Sequence, residues 1–177
     1  MSLRLRPFPA DSAGVVSGWA RTDEEVLMWC SLRSAPVPPA QINAWAREDW
    51  AEPFGLYRDG QLVAYGELWT DDGEAETELG RLIVAPGERG QGLGRRLAAM
   101  LAGLARSRYP RVFLRVHPDN IAAVQPERFD PVLAGPGVDL RGRYGRGPKA
   151  APHEHFLVSG GPAGDHTCRV SGEGTQT

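Results

Sequence analysis

Between Glu78 and Leu97 the chain reads Glu-Leu-Gly-Arg-Leu-Ile-Val-Ala-Pro-Gly-Glu-Arg-Gly-Gln-Gly-Leu-Gly-Arg-Arg-Leu. Two kinds of chemistry are written into it. Gly90, Gly92 and Gly94 alternate directly behind Arg89 and a short apolar run. Glycines admit a ligand close to the backbone and permit positive φ. Where they open a helix, unpaired amides and the helix dipole together suit a phosphate, with no lysine needed. The second feature is the acidic run that ends at Glu78. Asp71, Asp72 and Glu74 read as a solvated loop, whereas Glu76 and Glu78 share one side once a strand has begun. Carboxylates there could collect a cationic amine.

The elements that must position these residues follow from the pattern. Leu79 to Val84 is apolar and ends in a β-branched pair, which predicts a buried strand. Pro86, Gly87 and Gly90 predict a turn-rich connection. From Gly92 onward, Leu93, Leu97, Met100, Leu101 and Leu104 form one apolar stripe, predicting a helix to about Arg106. The order is therefore strand, glycine loop, helix. A dinucleotide fingerprint requires G-x-G-x-x-G after the first strand of a βαβ unit, which these glycines do not match. A nucleotide P-loop requires Gly-Lys-Ser/Thr, and the only lysine is the distant Lys149.

Leu3-Arg-Leu-Arg, stopped by Pro7 and Pro9, predicts a first strand. Asp11 and Ser12 can cap a helix through Val15, Val16 and Trp19, and Thr22 or Asp23 a second one through Val26 to Trp29. A third helix is expected from near Ala40 through Ile42 and Trp45 toward Trp50. Phe54–Tyr57 and Gln61–Trp69 flank Arg58-Asp59-Gly60, a hairpin signal because both turn positions favour positive φ. Gly66 inside the second of these strands suggests a bulge or a close backbone approach. Arg111 to Val116 is a further strand, followed by His117-Pro-Asp-Asn120 and a short helix cut by Pro126. Phe129–Leu133 and Glu154–Val158 are candidate last strands, separated by a Gly/Pro/Arg-rich loop.

The composition fits one soluble globular domain: 177 residues, 41% hydrophobic, 24% charged, net charge −2. That charge gives no argument for nucleic acid or an anionic membrane. Two cysteines make no disulfide framework and suit a reducing cytoplasm. No apolar run approaches the ~20 residues of a membrane span, and the N-terminus lacks a signal-peptide core. Residues 1–159 are read as a single domain, atypical from about 121, and 160–177 as a disordered tail. His153 and His155 make two ligands at most, so no metal site is expected.

Arg89-x-x-Gly92-x-Gly94, with the preceding strand and following helix, resembles the pyrophosphate loop of the GNAT N-acetyltransferase superfamily. The resemblance spans roughly Leu3 to Pro131. It implies an α/β fold with a mixed, largely antiparallel central sheet and helices on both faces, the ligand lying where two parallel strands part. It implies acetyl-CoA as co-substrate and acetyl transfer to a primary amine of a small molecule or, second, a peptide. An acyl-CoA-binding module of the same fold without turnover is the alternative. Backbone groups of Arg89, Gly90, Gln91, Gly92, Leu93, Gly94 and Arg95 would hold the pyrophosphate. Leu82, Ile83 and Val84 would pair with the pantetheine arm, the Leu82 amide facing the thioester oxygen. Asn120 matches the pantetheine-contacting Asn of many relatives or is a plain helix cap. Glu78, on the strand where several relatives carry a glutamate, is the candidate catalytic base. The early helices would wall the acceptor site, with at least one of Trp19, Trp29, Trp45 and Trp50 lining it. The pattern departs from the family after Asn120 and Ala123: Glu127 stands where relatives carry a Tyr acid, the Gly-Phe pair is missing, and Tyr144, Tyr109 or a water would have to protonate the thiolate. A homodimer is an allowed assembly.

Overall fold

The computed structural model describes residues 2–114, together with the backbone of three short strands at 140–141, 156–158 and 169–170. Five strands, β1 (Leu3–Pro7), β2 (Ala51–Arg58), β3 (Gln61–Asp71), β4 (Glu76–Val84) and β5 (Arg111–Leu114), form one open sheet in sequence order. Neighbours from β1 to β4 are antiparallel, and β4–β5 is parallel. Among the described residues four α-helices accompany them: α1 (Ala13–Ser17), α2 (Asp23–Cys30), α3 (Pro39–Trp45) and α4 (Leu93–Arg106). The mixed, largely antiparallel sheet with helices on both faces is the architecture expected. β6 (Leu140–Arg141), β7 (Phe156–Val158) and β8 (Arg169–Val170) form a small antiparallel sheet. β7 lies within the expected Glu154–Val158 strand, and β8 lies in the stretch read as a tail. The expected strand at 129–133 lies outside the described residues.

The apolar stripe of α4 buries Leu93, Leu97, Leu101, Ala102 and Ala105 against Leu56, Leu68, Leu79 and Val112 of the sheet. The opposite face holds a second core, in which Val16 of α1, Val26 of α2, and Ile42 and Trp45 of α3 meet Tyr65 and Ile83. Gly66 serves both purposes expected of it. A Cβ there would approach Leu101 Cδ1 to 3.0 Å, so it lets α4 lie close on the sheet. It also faces a bulge: Tyr65 pairs with Ile83 and Glu67 with Gly80, so Arg81 and Leu82 together oppose Gly66.

The early helices differ in detail from expectation. The segment at Asp11 and Ser12 is a 3₁₀ turn over Ala10–Ser12, and neither side chain caps α1. That helix stops at Ser17, before Trp19. α2 is capped as the sequence suggests, Glu25 N–H donating to Thr22 Oγ1 at 3.1 Å. α3 ends at Trp45, so Trp50 lies in the turn before β2, not in the helix. The Asp59-Gly60 turn has φ of 50° and 89°, as a tight hairpin requires. Among the described residues no helix is long and apolar enough to cross a membrane, and no group of His, Cys, Asp and Glu is arranged to hold a metal ion.

Candidate active site

The glycine loop leaves β4 at Ala85, passes through a 3₁₀ turn at Pro86–Glu88, and enters α4 at Gly92. Gly90 and Gly92 take φ of 79° and 75°. A side chain at either would be strained, and only glycine adopts this region cheaply. No side chain caps α4, so the amides of its first turn have no partner within the helix. Gly90, Gln91 and Gly92 are exposed. Nothing lies within 4 Å of a Cβ built on Gly90, so no other described part of the protein covers the turn. A Cβ on Gly92 would have Arg95 Nη2 at 3.9 Å, which places a guanidinium beside the same amides.

The side chains of this loop brace it. Arg89 donates from Nη2 to the Trp19 carbonyl at 2.7 Å, from Nη1 to Glu25 Oε1 at 2.5 Å and from Nε to the Val84 carbonyl at 3.2 Å. Gln91 accepts from Arg58 Nη1 at 2.9 Å and donates to Glu88 Oε2 at 3.0 Å, while Arg58 and Glu88 pair directly. Arg89 and Gln91 therefore offer an anion their amides, not their side chains. Leu93 is buried in the α4 core, and only its main chain is at the helix mouth.

Ala85 N–H donates to the Val63 carbonyl at 2.9 Å, so residue 85 turns its polar backbone toward β3. By strand alternation Ile83 does the same, and Leu82 and Val84 turn theirs toward the opposite edge. On that side β5 pairs with β4 only from Glu76↔Arg111 to Leu79↔Leu114, where the described part of β5 ends. Leu82 and Val84 lie past the described part of that pairing. The Val84 carbonyl accepts from Arg89 Nε.

Glu78 lies opposite Trp69 of β3 and Phe113 of β5 and is 8% exposed. Partners directly across a pair share a face, so Glu78 and Trp69 stand on the side of α2 and α3. The rest of the acidic run is engaged elsewhere. Tyr109 donates to Asp72, the Asp71 carboxylate accepts from Glu74 N–H, and Arg111 lies 3.7 Å from Glu74 and 3.9 Å from Glu76. Tyr109 is thereby engaged with the acidic run. It sits at the end of the β4–β5 pair remote from the glycine loop, and its hydrogen bond to Asp72 raises its hydroxyl pKa. Asn120, Glu127 and Tyr144 lie outside the described residues.

Two residues that sequence reasoning missed adjoin Glu78. Glu67, fully buried, accepts from the Tyr65 hydroxyl at 2.5 Å, Trp69 Nε1 at 2.6 Å and Arg81 Nη1 at 2.7 Å. Burial, and then the neighbouring carboxylate, push the Tyr65 hydroxyl pKa far up, so it stays a donor. The Arg81 guanidinium lies over Trp45 at 4.1 Å and Trp69 at 4.8 Å from the ring centroids. A Cβ on Gly80 would fall 2.2 Å from the Trp69 ring, so glycine there is what admits the indole. The missed signal was alternation: Tyr65, Glu67 and Trp69 share one strand face, and a carboxylate between two side chains that donate can be buried without a bare charge.

This arrangement is a wall of aromatic residues and two carboxylates, Glu67 and Glu78, on one side of β4, and a group of amides at its end. A family model for the acetyltransferase (GNAT) family matches residues 18–125. The chain belongs to the GNAT acetyltransferase family. That places it among acyl-transferring enzymes. Solved structures with the same fold include the aminoglycoside acetyltransferase AAC(6′)-Ib in complex with paromomycin and acetyl-CoA. It is 17% identical at a TM-score of 0.59, covering 73% of this chain and 82% of that one. The spermidine N-acetyltransferase of Vibrio cholerae in complex with CoA and spermine is 18% identical, TM-score 0.58, covering 69% and 75%. The ribosomal-protein-S18-alanine N-acetyltransferase of Escherichia coli is 18% identical, TM-score 0.54, covering 70% and 72%. The three differ in acceptor, so the fold they share with this GNAT chain does not select one.

Proposed function

We propose that this protein transfers the acetyl group of acetyl-CoA to the primary amine of a small molecule. The observation that carries the reading is the exposed turn Gly90–Gly92, with two left-handed glycines, leading into the unpaired first amides of α4 at the end of β4. The amides of Gly90 to Arg95 would hold the diphosphate, with the Arg95 guanidinium beside them. Leu82 and the Val84 N–H would pair with the pantetheine arm as an added strand. The co-substrate supplies an activated acetyl thioester. The chain supplies a donor for the carbonyl oxygen in the Leu82 amide and, in Glu78, a carboxylate to take the proton that a charged amine must lose before it can attack.

Structures of family members carrying paromomycin or spermine support an amine acceptor of this kind. The Trp45 and Trp69 rings on this side of β4 support a compact acceptor lying against rings. The direct test incubates the protein with acetyl-CoA and a panel of amines, following free thiol and acetylated product. Thiol release that depends on one amine class supports the proposal. Tight CoA binding with no release for any amine would favour the binding module, and no CoA binding would sink both.

A further inference from the structure

Arg81 carries a left-handed φ of 46°, in a strand and without being glycine. Such a backbone persists only where its surroundings hold it. Here the hold comes from three directions. Trp29 Nε1, from α2, donates to the Arg81 carbonyl at 2.7 Å. Glu67, from β3, takes the guanidinium at 2.7 Å. Trp45, from α3, and Trp69, from β3, stack on it. Trp29 also meets Trp45 and Tyr65 edge to face, at 5.9 and 6.4 Å between centroids, so the clasp is one packed unit. The bulge it closes on is Arg81 and Leu82 themselves, and it sets the phase of Leu82 relative to Glu78 on the same strand.

We infer that Trp29 and Glu67 are positioning residues for acetyl transfer: by clasping Arg81 they fix the β4 bulge, and so fix the Leu82 amide relative to Glu78. This rests on the function proposed above. It adds that the wall facing the acceptor and the strand edge facing the thioester are held in register through one residue. Neither Trp29 nor Glu67 needs to touch either substrate.

The test compares Trp29→Phe, which keeps a ring but loses the donor, and Glu67→Gln with the parent enzyme. Positioning predicts a kcat lower by roughly tenfold or more with the KM for acetyl-CoA within about threefold, the pattern of an interaction realised in the transition state. Hydrogen exchange of backbone amides is read alongside, independently of turnover. The Ile83 amide should exchange at least about tenfold faster in Trp29→Phe, with amides at the Glu76 end of β4 unchanged. In an Arg81→Gly background, where positive φ costs little, Trp29→Phe should add almost nothing to the loss in kcat. A role in packing alone would add its full effect there and would speed exchange along the whole strand, and either result overturns the inference. So does local loosening at Ile83 with parental kcat. A parent enzyme that acetylates no amine sinks the proposed function and the catalytic half of this inference, and exchange at Ile83 then decides whether the clasp holds the bulge.

Discussion

Glu78 is the side chain on which proton transfer is argued to depend. Glu78→Gln keeps the shape and removes the base, so amine acetylation at saturating acetyl-CoA should fall by ~10²-fold or more, with loss of the acidic limb of the pH–rate profile. An unchanged profile would dismiss the assignment. Glu25 plays a different part. The Arg21 amide, donating to it at 2.6 Å, and then Arg89 hold its carboxyl below the ordinary value. A depressed carboxylate stabilises the fold above its unfolded pKa of about 4.3, and the contribution is lost as pH falls through the folded value. Glu25→Gln should therefore lower Tm by a few degrees at neutral pH, and the gap should close on acidification below about pH 4. Thermal melts across that range decide it. Glu78 stood out in the sequence by position, at the end of an acidic run. Glu67 did not, because its three donors come from residues 65, 69 and 81, and the last is brought in only by the bulge.

At the scale of elements, the strand–loop–helix unit was readable because each part carries its own signal: a β-branched run, paired breakers, a 3.6-residue stripe. The loop was harder in one respect. Its spacing did not say what the Arg89 and Gln91 side chains do, and the structure spends both on bracing the turn. What remains for a diphosphate is main chain. Gly92→Val should accordingly weaken CoA binding by tenfold or more, since a β-branched residue cannot hold φ of 75° and would crowd the amides. Gln91→Ala should cost much less. Calorimetric Kd values for CoA with both variants would separate backbone from side-chain recognition. Similar losses in the two would refute it. The start of α1 and the length of α3 were less legible, since Pro, Gly and Ala dominate there and tertiary packing sets where such short helices end.

For the whole molecule, two cores on opposite faces of one sheet divide the labour. The α4 core is mostly aliphatic, with Phe54 in it, and supports the glycine loop; the other core carries Phe8, Trp19, Trp45 and Tyr65 and supports the aromatic wall. Leu101, fully buried between α4 and Gly66, is the test of the first. Leu101→Ala should cost about 2–5 kcal/mol in chemical denaturation, and CoA affinity of the remaining folded protein should change little. A cost below about 1 kcal/mol would mean that α4 is not the keystone described. The overall fold was legible from the order of elements and the resemblance of one loop. The acceptor was not, because the residues that would choose it belong to the wall, whose members touch through tertiary contacts that no spacing encodes.

The segregation of the aromatic residues has a practical consequence. Trp19, Trp29, Trp45, Trp50 and Trp69 account for every indole in the chain, and they belong to the sheet face opposite α4 or to its margin, with none in α4. Ultraviolet emission from this protein is therefore a one-sided signal. It reports what happens beside the Glu67–Arg81 pair and is nearly blind to the aliphatic side, so a library of unlabelled amines can be screened by intensity alone.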